Sequence, residues 1–144
     1  MELKDFASKL WFEYNGQPCM LLGVPTVDNA EVLIQFSNGK FEEITLSELK
    51  PIPITKELME KNGYENDDIF SKRHFQKQPL YRIASPNMFL VIYEDAHVCG
   101  IFDWMTFFGN KSVQDKFREV IEIKYVHEFQ QLIFLIDKNK QIIV

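Results

Sequence analysis

Asp95, His97 and Cys99 place an acid, an imidazole and a thiol at alternate positions. Alternate residues of a strand share a face. The set therefore has the makings of a nucleophile with its base and an orienting carboxylate, or of three metal ligands. The same spacing weighs against catalysis. Strand neighbours two apart run side by side at about 7 Å, beyond the hydrogen bond that activates a thiol, and Asp95 falls in a turn with Glu94 and Ala96. These three residues are weak catalytic candidates. They define a small enzyme or metalloprotein as the alternative to a non-catalytic protein.

The other polar sets have structural explanations. His127 stands beside Glu128 in a segment of helical period, where a half-buried imidazole bonded to a carbonyl or a neighbour is expected. His74 belongs to the basic run Lys72-Arg73-His74 with Lys77, expected as a solvated loop. Asn66-Asp67-Asp68 resembles part of a calcium loop but lacks its glycine and remaining ligands. Cys19 and Cys99 lie far apart and outside any Cys-x-x-Cys pair, so neither a zinc site nor a disulfide framework is expected. No metal and no cofactor is predicted.

Phe102-Asp103-Trp104-Met105-Thr106-Phe107-Phe108 offers a different chemistry. Large apolar side chains of these types fill cores, and they also anchor interfaces. Phe102, Trp104, Met105, Phe107 and Phe108 are the predicted interface residues, with a protein partner or a second copy of the chain as the occupant.

Short strands must position these groups. Leu10, Phe12 and Tyr14 alternate with Trp11 and Glu13, and Asn15-Gly16 marks a turn into a second strand at 17–24. Val32, Ile34 and Phe36 alternate in a third strand. Asn38-Gly39 is the strongest hairpin signal of the chain, and 40–46 returns from it. A single turn at 47–49 and a Pro51/Pro53 extended piece complete a pattern that predicts an SH3-like small barrel over 1–54. Thr55 caps a short helix over 55–63 that ends at Asn62-Gly63. Residues 64–79 are a polar connector. Strands follow at 80–84, 88–93, 97–104 and 118–124, with 106–111 as a loop. Met88 to Tyr93, apolar on both faces, reads as a central strand. Val126, Phe129, Leu132, Ile133 and Ile136 recur at helical spacing, with His127, Glu128, Gln130 and Gln131 mostly on the polar side. The tail 141–144 has the composition of a terminal strand.

Composition bounds the rest. A chain of 144 residues with 46% apolar content suits one domain or two very small ones. Thirteen Phe, five Tyr and two Trp are enough to build a stable core at this length and to leave apolar surface over for a partner. The net charge of −5 is wrong for a general nucleic-acid binder. Charges in the first ten residues argue against a signal peptide, and the apolar runs are too short to cross a membrane. A cytoplasmic protein of the producing cell is expected.

Two stretches carry a resemblance. Leu49-Lys50-Pro51-Ile52-Pro53-Ile54-Thr55, continuing through Leu58 to Lys61-Asn62-Gly63-Tyr64, and Ile123-Lys124-Tyr125-Val126-His127-Glu128-Phe129-Gln130-Gln131-Leu132 resemble a family of uncharacterised small proteins of Bacteroidetes genomes, phages and prophages. The order of the segments matches that family. The chain departs from it after Leu132, where Ile133 to Asp137 is more apolar. The resemblance implies a phage or mobile-element origin and carries no activity and no site residues. The expected architecture is α+β: the barrel-like unit, then a second antiparallel sheet within 80–144 covered by the C-terminal helix, the halves sharing or abutting one aromatic core.

Overall fold

The computed structural model describes residues 9–22, 31–67, 78–84, 88–93, 98–109, 112–137 and 139–144, with the backbone path alone for 98–120. The fold is α+β and mostly strand. Two antiparallel sheets of four strands each follow the chain order β1-β2-β3-β4 and β5-β6-β7-β8. The chain divides into one unit of Met1–Pro53, Tyr125–Ile142 and Val144 and another of Ile54–Lys124 and Ile143.

In the first unit, β1 (Lys9–Tyr14) and β2 (Gln17–Leu22) form a hairpin in which Tyr14 faces Gln17. The turn needs positive φ at both central residues, and Asn15 (φ 50°) and Gly16 (φ 77°) supply it. β3 (Glu31–Phe36) and β4 (Phe41–Thr45) form the next hairpin. The Phe36 carbonyl accepts from Gly39 N–H at 2.9 Å, and Phe36 N–H donates to the Lys40 carbonyl at 2.9 Å. The loop is thus longer than a bare Asn-Gly turn, with Gly39 at φ 86° in the left-handed position. Register places Phe12, Cys19 and Phe36 in line, then Leu21 beside Ile34 and Val32 beside Ile44. Cys19, Leu21, Val32, Ile34 and Ile44 form the core, with the partly buried Phe12, Tyr14, Phe36, Leu46 and Leu49 packed against it.

A 3-10 turn, Leu46–Glu48, folds over that core, and its Glu48 carboxylate accepts from Thr45 N–H. The chain then returns to β1, where Glu13 and Lys50 exchange backbone hydrogen bonds of 2.8 and 2.9 Å. This contact is an isolated bridge, and the sheet is not closed into a barrel.

The C-terminal helix α2 (Val126–Ile136) belongs to this first unit, which corrects its expected place over the second sheet. Helical period shows which stripe is apolar, not which sheet receives it. Val126, Phe129 and Ile133 are buried as that stripe requires. Gln130, expected on the polar side, is buried with them at 9% exposure. Its Oε1 accepts from Trp11 N–H at 2.8 Å, and its Nε2 donates to the Lys9 carbonyl at 3.2 Å. One side-chain amide therefore does for the outer edge of β1 what a neighbouring strand would do.

In the second unit, α1 (Lys56–Lys61) starts where Thr55 Oγ1 accepts from Leu58 N–H at 3.1 Å, and Gly63 (φ 84°) follows its end. Leu58 and Met59 are its buried residues. β5 (Leu80–Ala84) pairs with β6 (Met88–Tyr93), whose Phe89, Leu90, Val91 and Ile92 are all buried, as a central strand requires. β7 (Val98–Gly109) and β8 (Ser112–Ile123) are longer than their sequence suggests. The expected loop over 106–111 is instead mostly strand, closing at the pair Gly109 and Ser112. Asp115 breaks the apolar alternation of Val113 and Phe117, which hides β8 from a periodicity reading.

The tail forms no ladder; side chains hold it instead. Within the first unit, Trp11 Nε1 donates to the Ile142 carbonyl at 2.9 Å. Within the second, the buried Asn62 amide donates from Nδ2 to the Ile143 carbonyl at 2.8 Å and accepts Ile143 N–H at 2.7 Å. No helix among the described residues is long and apolar enough to cross a membrane.

Candidate functional site

Of the proposed acid, imidazole and thiol, Cys99 alone falls among the described residues, and there by its backbone. Asp95 and His97 lie outside the described residues. Cys99 has a position within β7, its backbone opposite Ile92 of β6 and Ile123 of β8. Both of those isoleucines are buried. Among the described residues no group of three His, Cys, Asp or Glu side chains could hold a metal ion.

The calcium-like run has another use at its described end. Asn66 Oδ1 accepts from Leu80 N–H at 3.1 Å, and Asp67 N–H donates to the Leu80 carbonyl at 2.8 Å. This short stretch borders β5, whereas Asp68 and the basic run Lys72, Arg73, His74 and Lys77 lie outside the described residues.

His127 is half-buried and stacks on Phe12, with ring centroids 4.7 Å apart and planes 24° apart, and on Tyr125 at 5.9 Å and 10°. Its buried Nδ1 has no hydrogen-bond partner among the described residues, and the ring's contacts are those with Phe12 and Tyr125. Burial pushes its pKa below the ordinary histidine value, against a smaller opposite pull from Glu128. Cys19 is fully buried, and burial raises its thiol pKa to about 11. A thiol of that kind stays protonated and is a poor nucleophile.

The first unit also carries a feature that sequence reading does not flag. Both of its Asn-Gly hairpin tips fall at one end of the sheet. There Tyr14, Asn15, Gln17, Phe36, Asn38, Lys40 and Glu42 line an open depression of about 300 Å³. The Tyr14 and Phe36 rings are tilted at 45° with centroids 6.3 Å apart. Burial, then the Glu42 and Glu48 carboxylates, hold the Tyr14 phenol above its usual pKa, so it remains a neutral hydrogen-bonding group. Hairpin register alone would have brought these residues together, because Tyr14 and Gln17 flank one turn and Phe36 and Lys40 the other.

The aromatic segment is placed by backbone register. β6 begins at Met88, opposite Asp103. From Trp104 to Gly109, β7 continues with β8 as its strand neighbour among the described residues. This part of the ribbon is an arm. Along it Trp104 faces Phe117, Thr106 faces Asp115 and Phe108 faces Val113, so these six share one face. Met105 with Lys116 and Phe107 with Gln114 take the other face. Phe102 stands before the arm, opposite Phe89 of β6. The predicted interface residues thus divide: Trp104, Met105, Phe107 and Phe108 are on the arm, and Phe102 is in the four-stranded part.

Comparison with protein families, curated proteins and solved structures finds no match to the chain.

Proposed function

We propose that the chain is a non-enzymatic binding or assembly module of phage or mobile-element origin, acting in the cytoplasm of the producing cell through the β7–β8 arm. The observation that carries this reading is the arm itself. A two-stranded ribbon has little stability of its own in water, yet this one continues past β6 with Trp104, Met105, Phe107 and Phe108 along one strand. Residues of these types anchor protein contacts. The first unit fits the same role as an SH3-like small barrel. In its favour are the order of four strands, a 3-10 turn and a return to β1 through Glu13 and Lys50. The resemblance of the 49–64 and 123–132 segments supplies the assignment of origin.

The test compares the wild-type chain with the double variant Trp104→Ser, Phe108→Ser, expressed in the producing cell. Co-purifying proteins are identified by mass spectrometry, and the mass of the purified species is measured by light scattering. A stoichiometric partner or self-association that the variant loses is the expected result. Identical partners and identical mass for both proteins would refute a role for the arm.

A further inference from the structure

We infer that β7 pairs edge to edge with β7 of a second copy of this chain, antiparallel and centred on Thr106. The inference rests on the binding role given to the arm and names the occupant.

The backbone directions along β7 follow from hydrogen bonds in the sheet. Ile92 N–H donates to the Pro79 carbonyl at 3.0 Å, on the β5 side of β6. Hydrogen-bonding groups alternate sides along a strand, so Phe89, Val91 and Tyr93 direct theirs toward β7. Their register partners Phe102, Gly100 and Val98 direct theirs toward β6. Continuing by twos, Trp104, Thr106 and Phe108 direct N–H and C=O to this same edge, past the point where β6 begins. The closing pair of the ribbon agrees. Gly109 pairs with Ser112, with two residues between them in the chain, and closing pairs at that spacing bond each other, which again turns Phe108 outward. Among the described residues this edge has no strand neighbour beyond Asp103, and such an edge is matched by another extended strand.

Symmetry then selects the second copy. A two-fold axis normal to a sheet keeps each residue on its own face, so residues pair only when their numbers sum to an even value. About Thr106, Trp104 meets the partner's Phe108, Met105 meets the partner's Phe107, and Thr106 meets the partner's Thr106. Aromatic pairs and Thr–Thr pairs are favourable opposite one another. The residues that need partners, Trp104, Thr106 and Phe108, are the ones this register joins by backbone hydrogen bonds. The run Trp104 to Phe108 contains no charge, so no like charges meet. β8 shows the contrast. Self-pairing centred on Phe117 would set Lys116 against Arg118 and Asp115 against Glu119, and centring on Lys116 or Arg118 would set each against itself. One strand of the arm is guarded by charge, while the other is self-complementary.

The test is sedimentation velocity over a wide concentration range, with amide hydrogen exchange by NMR. Thr106→Pro removes an outward N–H and leaves the β7–β8 hydrogen bonds in place, a position where proline is tolerated. The expected wild type is a concentration-dependent dimer. In it, Trp104, Thr106 and Phe108 amides gain protection with concentration, while Met105 and Phe107 amides are protected throughout. Thr106→Pro is expected to be a monomer with those two amides still protected. A dimer that survives Thr106→Pro, or one in which the outward amides gain no protection, would overturn the inference. A wild type monomeric at all concentrations would overturn it too. In that last case the binding role of the arm is judged separately, by the co-purification arm of the preceding test.

Discussion

Replacing Gln130 tests whether a helix side chain completes the edge of the first sheet. In Gln130→Ala, Trp11 N–H loses a 2.8 Å bond in a buried setting and the Lys9 carbonyl loses a weaker 3.2 Å bond that is partly exposed. A buried donor left without a partner costs about 1–3 kcal/mol, and a carbonyl that water can reach costs less. The expected loss is about 2–3 kcal/mol, close to a 1 M shift of the urea midpoint for a slope of about 1–3 kcal/mol per M. Urea unfolding would be followed by Trp11 fluorescence in a Trp104→Phe background, which removes the other of the two tryptophans. Gln130→Glu adds a second readout. Its carboxylate keeps the acceptor for Trp11 N–H but opposes the Lys9 carbonyl, and protonation restores the donor. Its deficit relative to wild type should therefore shrink as the pH is lowered into the carboxyl range. A loss below about 0.5 kcal/mol in Gln130→Ala, the size of an ordinary surface substitution, would refute the edge-completing role.

Three further outcomes follow from the buried groups. Burial lowers the His127 pKa, so below the ordinary value of about 6.5 the unfolded chain binds more protons than the folded one. Stability is then fully present above about pH 6.5 and is lost as pH falls toward and through the folded value. Urea midpoints measured against pH should show this slope in wild type and a reduced one in His127→Phe, which keeps an aromatic ring on Phe12. Cys19, buried with a thiol pKa of about 11, should resist iodoacetamide in the native protein and react once urea unfolds it, as read by peptide mass mapping. Asn62→Ala removes both bonds to Ile143 and the 2.8 Å bond from Nδ2 to the Leu58 carbonyl. It should cost about 2 kcal/mol, and the Ile143 amide should lose its protection from hydrogen exchange.

The first sheet is legible in the sequence because short runs of alternating side chains are joined at two Asn-Gly turns. Thr55 and Gly63 likewise bracket α1 by chemistry that is local to the chain. The strand β6 is legible from its unbroken apolar run. What is not legible depends on partners distant in sequence. Gln130 lies 119 positions from Trp11, and nothing near it shows that its amide will stand in for a strand. The same distance conceals the assignment of α2 to the first unit. The arm escapes notice for a different reason: Thr106 and Asp115, paired across it, interrupt the apolar pattern on both strands at the same level. Of the candidate residues, the aromatic run is legible as an apolar segment, while its position past the end of β6 depends on where β6 begins.

Photocrosslinking from the arm probes the central claim most directly. Phe107 is replaced by p-benzoylphenylalanine, with the same replacement at Gln17 on the first hairpin as the control, and the cells that produce the protein are irradiated. Intermolecular adducts are expected from position 107, to a second copy or to a defined partner protein, with few from position 17. Adducts confined to the chain itself from position 107, at the level of the control, would contradict that claim.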